Sequence, residues 1–391
     1  MEKVLVVYDT AISHRQFLPL TFTRPVGHLL AGMLSLQDWW GRLTGLPVVS
    51  LSHRYITDEL PDAALYICVD ATVVPDPEIA GHLKDLNPEE IIRDESGMIA
   101  FASNSKPIFQ QMPVWVDHRR ELQLKERVTH TLEIVNRQED WMKLQFPLLT
   151  PEISPAERPE ALKVYGDSKD LVIEEGAEIE SAIIDVRSGP VCIRKGALIM
   201  HGAALRGPVF VGKNAVIKMA AHIYGGSVIG DDCTAGGEIK NSVLHSNTNK
   251  AHHGYLGDSY IGAWCNWGAG TNNSNVKNSA WPVKVWDYEA NTFRQFGQKA
   301  GILMGDFTRT AINSSLNSGT VTGVCCSIHF EGLTAKIIPS FSFGHSARYQ
   351  WEKAIRDINN WKKFKNDALN DREKENLLAI YEKRELDKNH E

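Results

Sequence analysis

The sequence has little cysteine, no long apolar stretch and no excess of positive charge. Its six cysteines, in 391 residues, form no C-x-x-C pair and no regular framework. This excludes a disulfide-stabilised scaffold and indicates reduced thiols. No apolar run approaches the roughly 18 residues that a membrane span needs. Lys and Arg number 42 against 48 Asp and Glu, which argues against nucleic-acid binding through phosphate neutralisation.

The opening residues, Met-Glu-Lys-Val-Leu-Val-Val-Tyr-Asp, show no charged leader followed by an apolar segment and a cleavage site. We therefore expect a cytoplasmic protein with no membrane partner and no nucleic-acid partner. Hydrophobic residues make up 43% of the chain, which is ordinary for a globular protein. The length is enough for two or three domains.

The first part of the chain alternates strand and helix patterns. Residues 3–8 and 64–69 are β-branched apolar runs typical of buried strands, and a helical pattern covers residues 119–145. The alternation predicts an α/β domain with a mostly parallel sheet over residues 1–150. Prolines at 147, 151, 155 and 159 then indicate a linker, which we place at residues 151–164.

The second part carries a six-residue repeat. Aliphatic residues recur at every sixth position, and a small side chain follows most of them by four residues. The aliphatic set is Ile193, Ile199, Leu205, Val211, Ile217, Ile223 and Ile229; the small set is Ala197, Ala203, Ala215, Ala221, Ser227 and Cys233. The frame returns at Met304, Thr310, Leu316, Thr322 and Ile328, with Thr308, Ser314, Thr320 and Cys326 as the small residues.

Neither the helical period nor strand alternation produces an unbroken period of six. A six-residue unit is a short strand plus a corner, so three units make one triangular coil of a hexapeptide β-helix over residues 165–345. Residues 277–300 leave the frame as a projecting loop. Residues 346–391 have apolar residues at helical spacing and predict helices that cap the solenoid. The frame places Cys326 inward and Cys325 outward, so we interpret the pair as packing residues; no residue spacing indicates a metal site.

Several motifs resemble the bifunctional N-acetylglucosamine-1-phosphate uridyltransferase/glucosamine-1-phosphate acetyltransferase family. Lys250-Ala-His-His-Gly-Tyr-Leu-Gly-Asp258 is similar to its K-A-x-H-L-x-Y-x-G-D stretch, one residue shorter, and Asn266-Trp-Gly-Ala-Gly-Thr271 resembles its N-x-G-A-G-T. G-G-E-I-K-N and M-G-D-F-T-R-T-A-I-N resemble a divergent fused branch of that family. The resemblance implies a left-handed β-helix, a homotrimer, and acetyl-coenzyme A bound between subunits.

The resemblance also implies a catalytic histidine. N-acetylation of a sugar amine by a thioester needs a base, and histidine titrates near the operating pH. His252 lies three residues before Tyr255, which is the family's spacing, whereas His253 fits if the count starts from Lys250. We prefer His252 as the base, and the one-residue deletion leaves His253 as the alternative.

Further site residues follow from the same resemblance. Lys240 lies twelve residues before His252, at the interval of the family's phosphate-binding lysine, where a cation would pair with a sugar phosphate. The resemblance implies that Tyr255, Asn266 and Asn275 hold the sugar and its acetyl group. It also implies that the ladder from Thr310 through Ile312 to Thr322 lines the coenzyme cleft. Tyr224 stands where the family has an arginine, so glucosamine 1-phosphate is only one candidate acceptor.

The first domain departs further from the family. Nucleotidyltransferases of this kind follow the first strand with a glycine-rich loop ending in G-T-R, but the first glycine here is Gly27. Arg24 resembles the remnant of that motif. Asp70 stands where the family keeps a magnesium-binding aspartate, and the alternative for it is a turn residue. We expect a shortened, divergent domain that would need Mg²⁺ only if it is active.

The sequence thus predicts an acetyl-coenzyme-A-dependent acyltransferase acting on an amino sugar phosphate or a nucleotide sugar. One alternative is a sugar-1-phosphate nucleotidyltransferase working through the first domain. The other is a non-catalytic trimeric scaffold that binds sugar nucleotides.

Overall fold

The computed structural model describes residues 2–53, 58–107, 118–344 and 347–383, which form two compact units. The first unit comprises residues 1–17 and 23–130, and the second comprises residues 18–22 and 131–391. The domain limits drawn from the sequence stay a prediction. Within the described residues, every helix is too short or too polar to cross a membrane.

The first unit is built on a mixed six-stranded sheet. Its strands follow one another across the sheet in the order Val48–Leu51, Lys3–Tyr8, Leu65–Asp70, Gly97–Ser103, Glu90–Asp94 and His118–Glu121. The first three are mutually parallel, Gly97–Ser103 is antiparallel to both neighbours, and the last two are parallel. The remaining elements are the helices Ala11–Gln16, Leu36–Thr44 and Pro77–Lys84 and the short paired strands Leu30–Ala31 and Leu34–Ser35.

The two predicted strands of this unit are confirmed, but the helix expected at residues 119–145 is displaced. Residues His118–Glu121 form a strand, because they pair in parallel with Glu90–Asp94 and this tertiary pairing outweighs the local pattern. The helix spans Thr131–Leu149 and continues through Pro147. A proline so close to the helix end removes one hydrogen bond without stopping the last turn.

The second unit is a parallel β-helix with three sides. Sheet I has nine strands: Leu171–Ile173, Val191–Ile193, Val209–Val211, Ser227–Ile229, Val243–Leu244, Tyr260–Ile261, Leu303–Met304, Val321–Thr322 and Ile337–Ile338. Sheet II runs through Glu178–Ile179, Leu198–Ile199, Val216–Ile217, Thr234–Ala235 and Asn249–Lys250, and resumes at Arg309–Thr310, Ser327–Ile328, Ser342–Phe343 and the antiparallel Ala347–Arg348. Sheet III runs through Lys163–Tyr165, Ile183–Asp185, Ala204–Arg206, His222–Ile223, Glu238–Lys240 and Tyr255–Gly257, with the pair Asn272–Asn273 and Ser315–Leu316 beyond it.

The six-residue frame is confirmed by the core. Every aliphatic residue of the first predicted block is buried and packs in one continuous cluster, together with the alanines and Cys233 of the small set. The corners turn in the left-handed region of φ, for example at Asn214, Asp232 and Asn247 in successive coils. Asn and Asp accept that conformation because their short side chains bond locally. The predicted hexapeptide architecture therefore follows directly from alternating core and corner positions.

The second unit also contains the expected insertion and the expected C-terminal helices. The segment that leaves the frame contains an antiparallel hairpin of strands Lys284–Asp287 and Thr292–Gln295. Helices Trp351–Lys362 and Asp371–Glu382 follow the last coils. Cys326 points into the β-helix core, whereas Cys325 lies outside it and is buried among residues of the C-terminal helices. The predicted fold class, an α/β domain followed by a hexapeptide β-helix with C-terminal helices, is confirmed.

Candidate functional site

Residues 251–254 form a corner of the β-helix that carries both candidate histidines. Strand Asn249–Lys250 of sheet II leads into this corner and strand Tyr255–Gly257 of sheet III leads out of it. The imidazoles of His252 and His253 are exposed and line a concavity of about 350 Å³. The other lining residues are Met200, Lys218, Met219, Gly237, Ala251, Ala269 and Gly270.

The two histidines differ in how their backbone is held. The His252 carbonyl accepts a hydrogen bond from Lys250 Nζ at 2.7 Å. The His253 carbonyl accepts one from the Gly270 amide of the next coil at 3.0 Å. Both side chains face the same concavity, so either imidazole is placed to act as a base on a ligand bound there.

A polar cluster lies where sheet III leaves this corner. Asn275 Nδ2 donates to the Tyr255 hydroxyl at 3.0 Å and to Asp258 Oδ2 at 2.6 Å, and Asn241 Nδ2 donates to Asp258 Oδ1 at 2.8 Å. Burial, with the Asp258 and Glu238 carboxylates nearby, raises the pKa of Tyr255 to about 12. The hydroxyl therefore stays protonated and can donate to a ligand. The structure thus places two of the predicted sugar-binding residues, Tyr255 and Asn275, in contact with each other.

Lys240 belongs to the same sheet. It pairs in register with Gly257, one coil away from the polar cluster, and its side chain is exposed. Tyr224 precedes it by one coil, since the Tyr224 amide donates to the Ile239 carbonyl. No carboxylate within the described part of the chain forms an ion pair with Lys240, so its ammonium is available to an anionic ligand.

The other predicted site residues lie elsewhere. Asn266 falls on the sheet II side of the corner, where its Oδ1 accepts from Asn249 Nδ2 at 2.7 Å. Thr310 points into the β-helix, and its hydroxyl contacts Thr271 Oγ1 and the Gly268 amide, each at 3.0 Å. Ile312, in contrast, is 69% exposed at the corner that follows.

Lys250 is a functional candidate that the residue analysis missed. Its side chain points inward and is buried, with Nζ bonded to two backbone carbonyls. Leu244, Lys250 and Leu256 are also six residues apart, but they lie three residues out of phase with the frame from Ile193 to Ile229. The sequence alone therefore did not mark Lys250 as an inward residue. Asp258 and Asn241 were also missed, and their contacts could not be read from the sequence without the coil register.

In the first unit, Asp70 sits at the end of its strand with both carboxylate oxygens engaged. Oδ1 accepts from the Thr72 amide and hydroxyl, each at 2.8 Å, and Oδ2 lies 3.5 Å from Arg127 Nη1. Burial raises the pKa of Asp70, while the Thr72 hydrogen bonds and Arg127 oppose the rise. Both oxygens of the Asp70 carboxylate thus have partners within the first unit. Across the described residues, no three His, Cys, Asp or Glu side chains group to hold a metal.

A second carboxylate, that of Asp9, lies directly after the first strand. Asp9 is 1% exposed and accepts hydrogen bonds from the Val26 amide, the Ser52 hydroxyl and the His53 amide at 2.9–3.0 Å. It stands where the nucleotidyltransferase pattern has its glycine-rich loop. Arg24, two residues before Val26, is buried in the same unit.

Comparisons with known proteins give one family model and several partial relatives. A family model described as sugar nucleotidyl transferase matches residues 5–153. Bifunctional protein GlmU of Methanocaldococcus jannaschii is 35% identical over 106 residues, which are 27% of this chain and 26% of that protein. GlmU of Methanococcus vannielii is 32% identical over 160 residues, 40% of this chain and 38% of that protein.

GlmU of a Picosynechococcus species is 45% identical over 67 residues, which are 17% of this chain and 15% of that protein. The chain therefore spans well under half the length of each of these relatives. Among solved structures, the polySia specific acetyltransferase NeuO is 11% identical with a TM-score of 0.29, covering 53% of this chain and 98% of that one. The chain is thus similar to bifunctional GlmU proteins and carries, over residues 5–153, a match to the sugar nucleotidyl transferase family.

Proposed function

We propose that the chain is an acetyl-coenzyme-A-dependent acyltransferase that acetylates the amine of an amino sugar phosphate or a nucleotide sugar. The observation that carries the proposal is the corner at residues 251–254, where exposed imidazoles line a concavity and the strand that follows begins with Tyr255, the hydrogen-bond partner of Asn275. The His252 imidazole is the proton acceptor, the Tyr255 hydroxyl is the donor and the Lys240 ammonium is the cation. The three residues lie in the same coil or in neighbouring coils.

His252 is the base in this proposal. The lone pair of the sugar amine attacks the carbonyl carbon of the acetyl thioester, and the imidazole accepts the proton that the nitrogen loses as the C–N bond forms. Backbone N–H groups of the corners stabilise the oxyanion that forms. Collapse of this intermediate breaks the carbon–sulfur bond, and the sulfur leaves as a thiolate that takes up a proton. His253 is the alternative base.

The remaining residues bind and orient in this proposal. Lys240 pairs with a phosphate of the acceptor, and Tyr255, Asn275 and Asn266 hold its hydroxyl and acetyl groups. Tyr224 offers an aromatic surface in place of a second cation, which favours an acceptor that is held by more than its phosphate charge. Ile312 lies at the exposed edge proposed for the coenzyme, and Thr310 holds that edge from inside.

We further propose that the active form is a homotrimer with the coenzyme between subunits. The exposure of large apolar side chains at β-helix corners supports a partner surface, since Met219, Ile312 and Leu333 are 63%, 69% and 62% exposed. Sedimentation of the whole chain tests the proposal, and a monomer at assay concentration would contradict it.

The transfer itself is tested by release of the coenzyme A thiol. Wild type, His252→Ala and His253→Ala are each given acetyl-coenzyme A with glucosamine 1-phosphate, glucosamine 6-phosphate or an amino-sugar nucleotide. We expect turnover by wild type with at least one acceptor, and a loss of about 100-fold or more in kcat for His252→Ala. If only His253→Ala lowers kcat, the base is His253 instead of His252. Absence of thiol release with every acceptor, from a folded protein, contradicts the proposal.

The sugar nucleotidyl transferase match at residues 5–153 favours a second candidate function, nucleotidyl transfer in the first unit. Arg24 and Asp70 are its candidate nucleotide-binding residues. Pyrophosphate release from a nucleoside triphosphate and a sugar 1-phosphate tests it, with Arg24→Ala as the variant that should abolish the reaction.

A further inference from the structure

Lys250 occupies a position that the β-helix otherwise reserves for apolar or small side chains. In sheet II the inward residues of successive coils are Ile199, Ile217, Ala235 and Lys250, each paired in register with the next. Lys250 is 2% exposed. Lysine is almost never buried to this degree without a specific partner, because removing the ammonium from water is costly.

The partners of Lys250 are two backbone carbonyls. Nζ donates to the Gly236 carbonyl at 2.8 Å and to the His252 carbonyl at 2.7 Å. Within the described residues, no carboxylate forms an ion pair with this amine. Burial lowers the pKa of Lys250 to about 8. A neutral amine still has two N–H donors, so both carbonyls remain satisfied in either protonation state.

The backbone around this lysine is shaped to receive it. Gly237 has a φ of 69°, and a Cβ added there would lie 2.8 Å from the His252 and Gly254 carbonyl oxygens and 3.0 Å from Lys250 Nζ. The absence of a side chain at Gly237 therefore lets the corner carbonyls approach the buried amine. Lysine also has the length that is needed to reach, from an inward strand position, the carbonyl two residues further around the corner.

The hydrogen bond from Lys250 fixes the orientation of one peptide group in the corner. The His252 carbonyl points toward the buried Lys250 amine, while the imidazole of the same residue lines the concavity outside. Without the bond this peptide could rotate, and the imidazole would sample other positions. A displacement of about 1 Å of a reacting group is enough to lower a rate strongly.

We propose that Lys250 is a positioning residue that holds the His252 imidazole over the concavity by anchoring the His252 carbonyl from inside the β-helix. This proposal rests on the proposed role of His252 in acetyl transfer. Lys250 does not touch the substrate or the reacting atoms in this account.

The test compares Lys250→Met with Ile193→Ala. Methionine fills the inward position but cannot donate to the two carbonyls. Ile193→Ala removes an inward side chain from sheet I, so it reports what a general loss of core packing does. Thiol-release kinetics give kcat and KM, and ¹³C-labelled histidine NMR follows the His252 signal, assigned by its loss in His252→Ala.

We expect Lys250→Met to lower kcat by about 10- to 100-fold with little change in KM for acetyl-coenzyme A. We also expect it to shift or broaden the His252 signal, whereas Ile193→Ala lowers the melting temperature without either effect. An unchanged kcat together with an unmoved His252 signal overturns the proposal. If His252→Ala keeps full turnover, the role of His252 fails, and the NMR signal still decides whether Lys250 positions that side chain.

Discussion

The candidate site residues of the two units differ in how far they are bonded within the protein. In the first unit, the carboxylates at the strand ends, Asp9 and Asp70, are enclosed and bonded to the unit's own N–H, hydroxyl and guanidinium groups. In the β-helix, the imidazoles of His252 and His253 and the ammonium of Lys240 face solvent. A saturated polar group stabilises the structure that saturates it, whereas an exposed group without a partner is available to a ligand.

The region that matches a family model is therefore not the region with the exposed candidate residues. The family match falls on the first unit, yet its strand-end carboxylates are committed to structure. The β-helix corner combines an exposed base and an exposed cation with the Tyr255 hydroxyl, which accepts from Asn275 and keeps its own proton for a ligand. We therefore place the proposed acetyl transfer in the β-helix, and we expect the strand ends of the first unit to act mainly in stability.

The largest expected effect is on the stability of the first unit and comes from replacing Asp9. Asp9→Ala leaves the Val26 and His53 amides and the Ser52 hydroxyl without their acceptor, and we expect a loss of about 3 kcal/mol in the free energy of unfolding of the first unit. Differential scanning calorimetry should show a transition lowered by roughly 10 °C. Glu95→Ala, at an exposed position of the same unit, is the control. A change no larger than that of the control would show that Asp9 is not a structural centre.

A smaller effect is expected for the cation of the β-helix. Lys240→Ala should raise the KM for a phosphorylated acceptor about tenfold and change kcat less, because a charge-assisted hydrogen bond to phosphate is lost. Lys213→Ala, an exposed lysine at another corner, should have no effect. Equal KM values for Lys240→Ala and wild type would remove Lys240 from the site.

Tyr224, which lies one coil before Lys240 in sheet III, offers a test by gain of affinity. Tyr224→Arg places a second cation one coil away, about 4.8 Å along the sheet. We expect it to lower the KM for glucosamine 1-phosphate about fivefold and to leave the KM for acetyl-coenzyme A unchanged. If steady-state kinetics show no preference for the sugar phosphate in the variant, Tyr224 does not face the phosphate.

The smallest effect concerns pH and Lys250. The folded protein releases the Lys250 proton near pH 8, whereas the unfolded chain holds it to about 10.5. The unfolded state therefore binds more protons between these values, so stability rises with pH in this window. Melting curves at pH 8.5 and 9.5 should show wild type gaining about 1 kcal/mol relative to Lys250→Met. A pH-independent difference would mean that the amine titrates outside this range.

The sequence predicts the β-helix closely because its signal is local and repeated. Each inward residue of the first block, from Ile193 to Ile229, is confirmed by burial, and so are the small residues of the corners. Periodicity alone was sufficient there, since every coil meets the same packing requirement.

Hydrogen bonds between residues of neighbouring coils could not be predicted from the sequence. Asp258 bonds Asn241 and Asn275, which lie 17 residues before and after it. Pairs at that distance are adjacent only once the coil register is known. In the first unit, residues His118–Glu121 became a strand because a partner strand was present, and no helical pattern could reveal that partner.

The central claim is that the chemistry belongs to the β-helix corner, and two product assays on the same protein test it most directly. Coenzyme A thiol release and pyrophosphate release are measured in parallel for wild type, His252→Ala and Asp70→Asn, with magnesium and nucleoside triphosphate supplied in the second assay. The account predicts thiol release that His252→Ala abolishes and Asp70→Asn leaves intact. Pyrophosphate release that Asp70→Asn abolishes, with no thiol release from any of the three proteins, would contradict it.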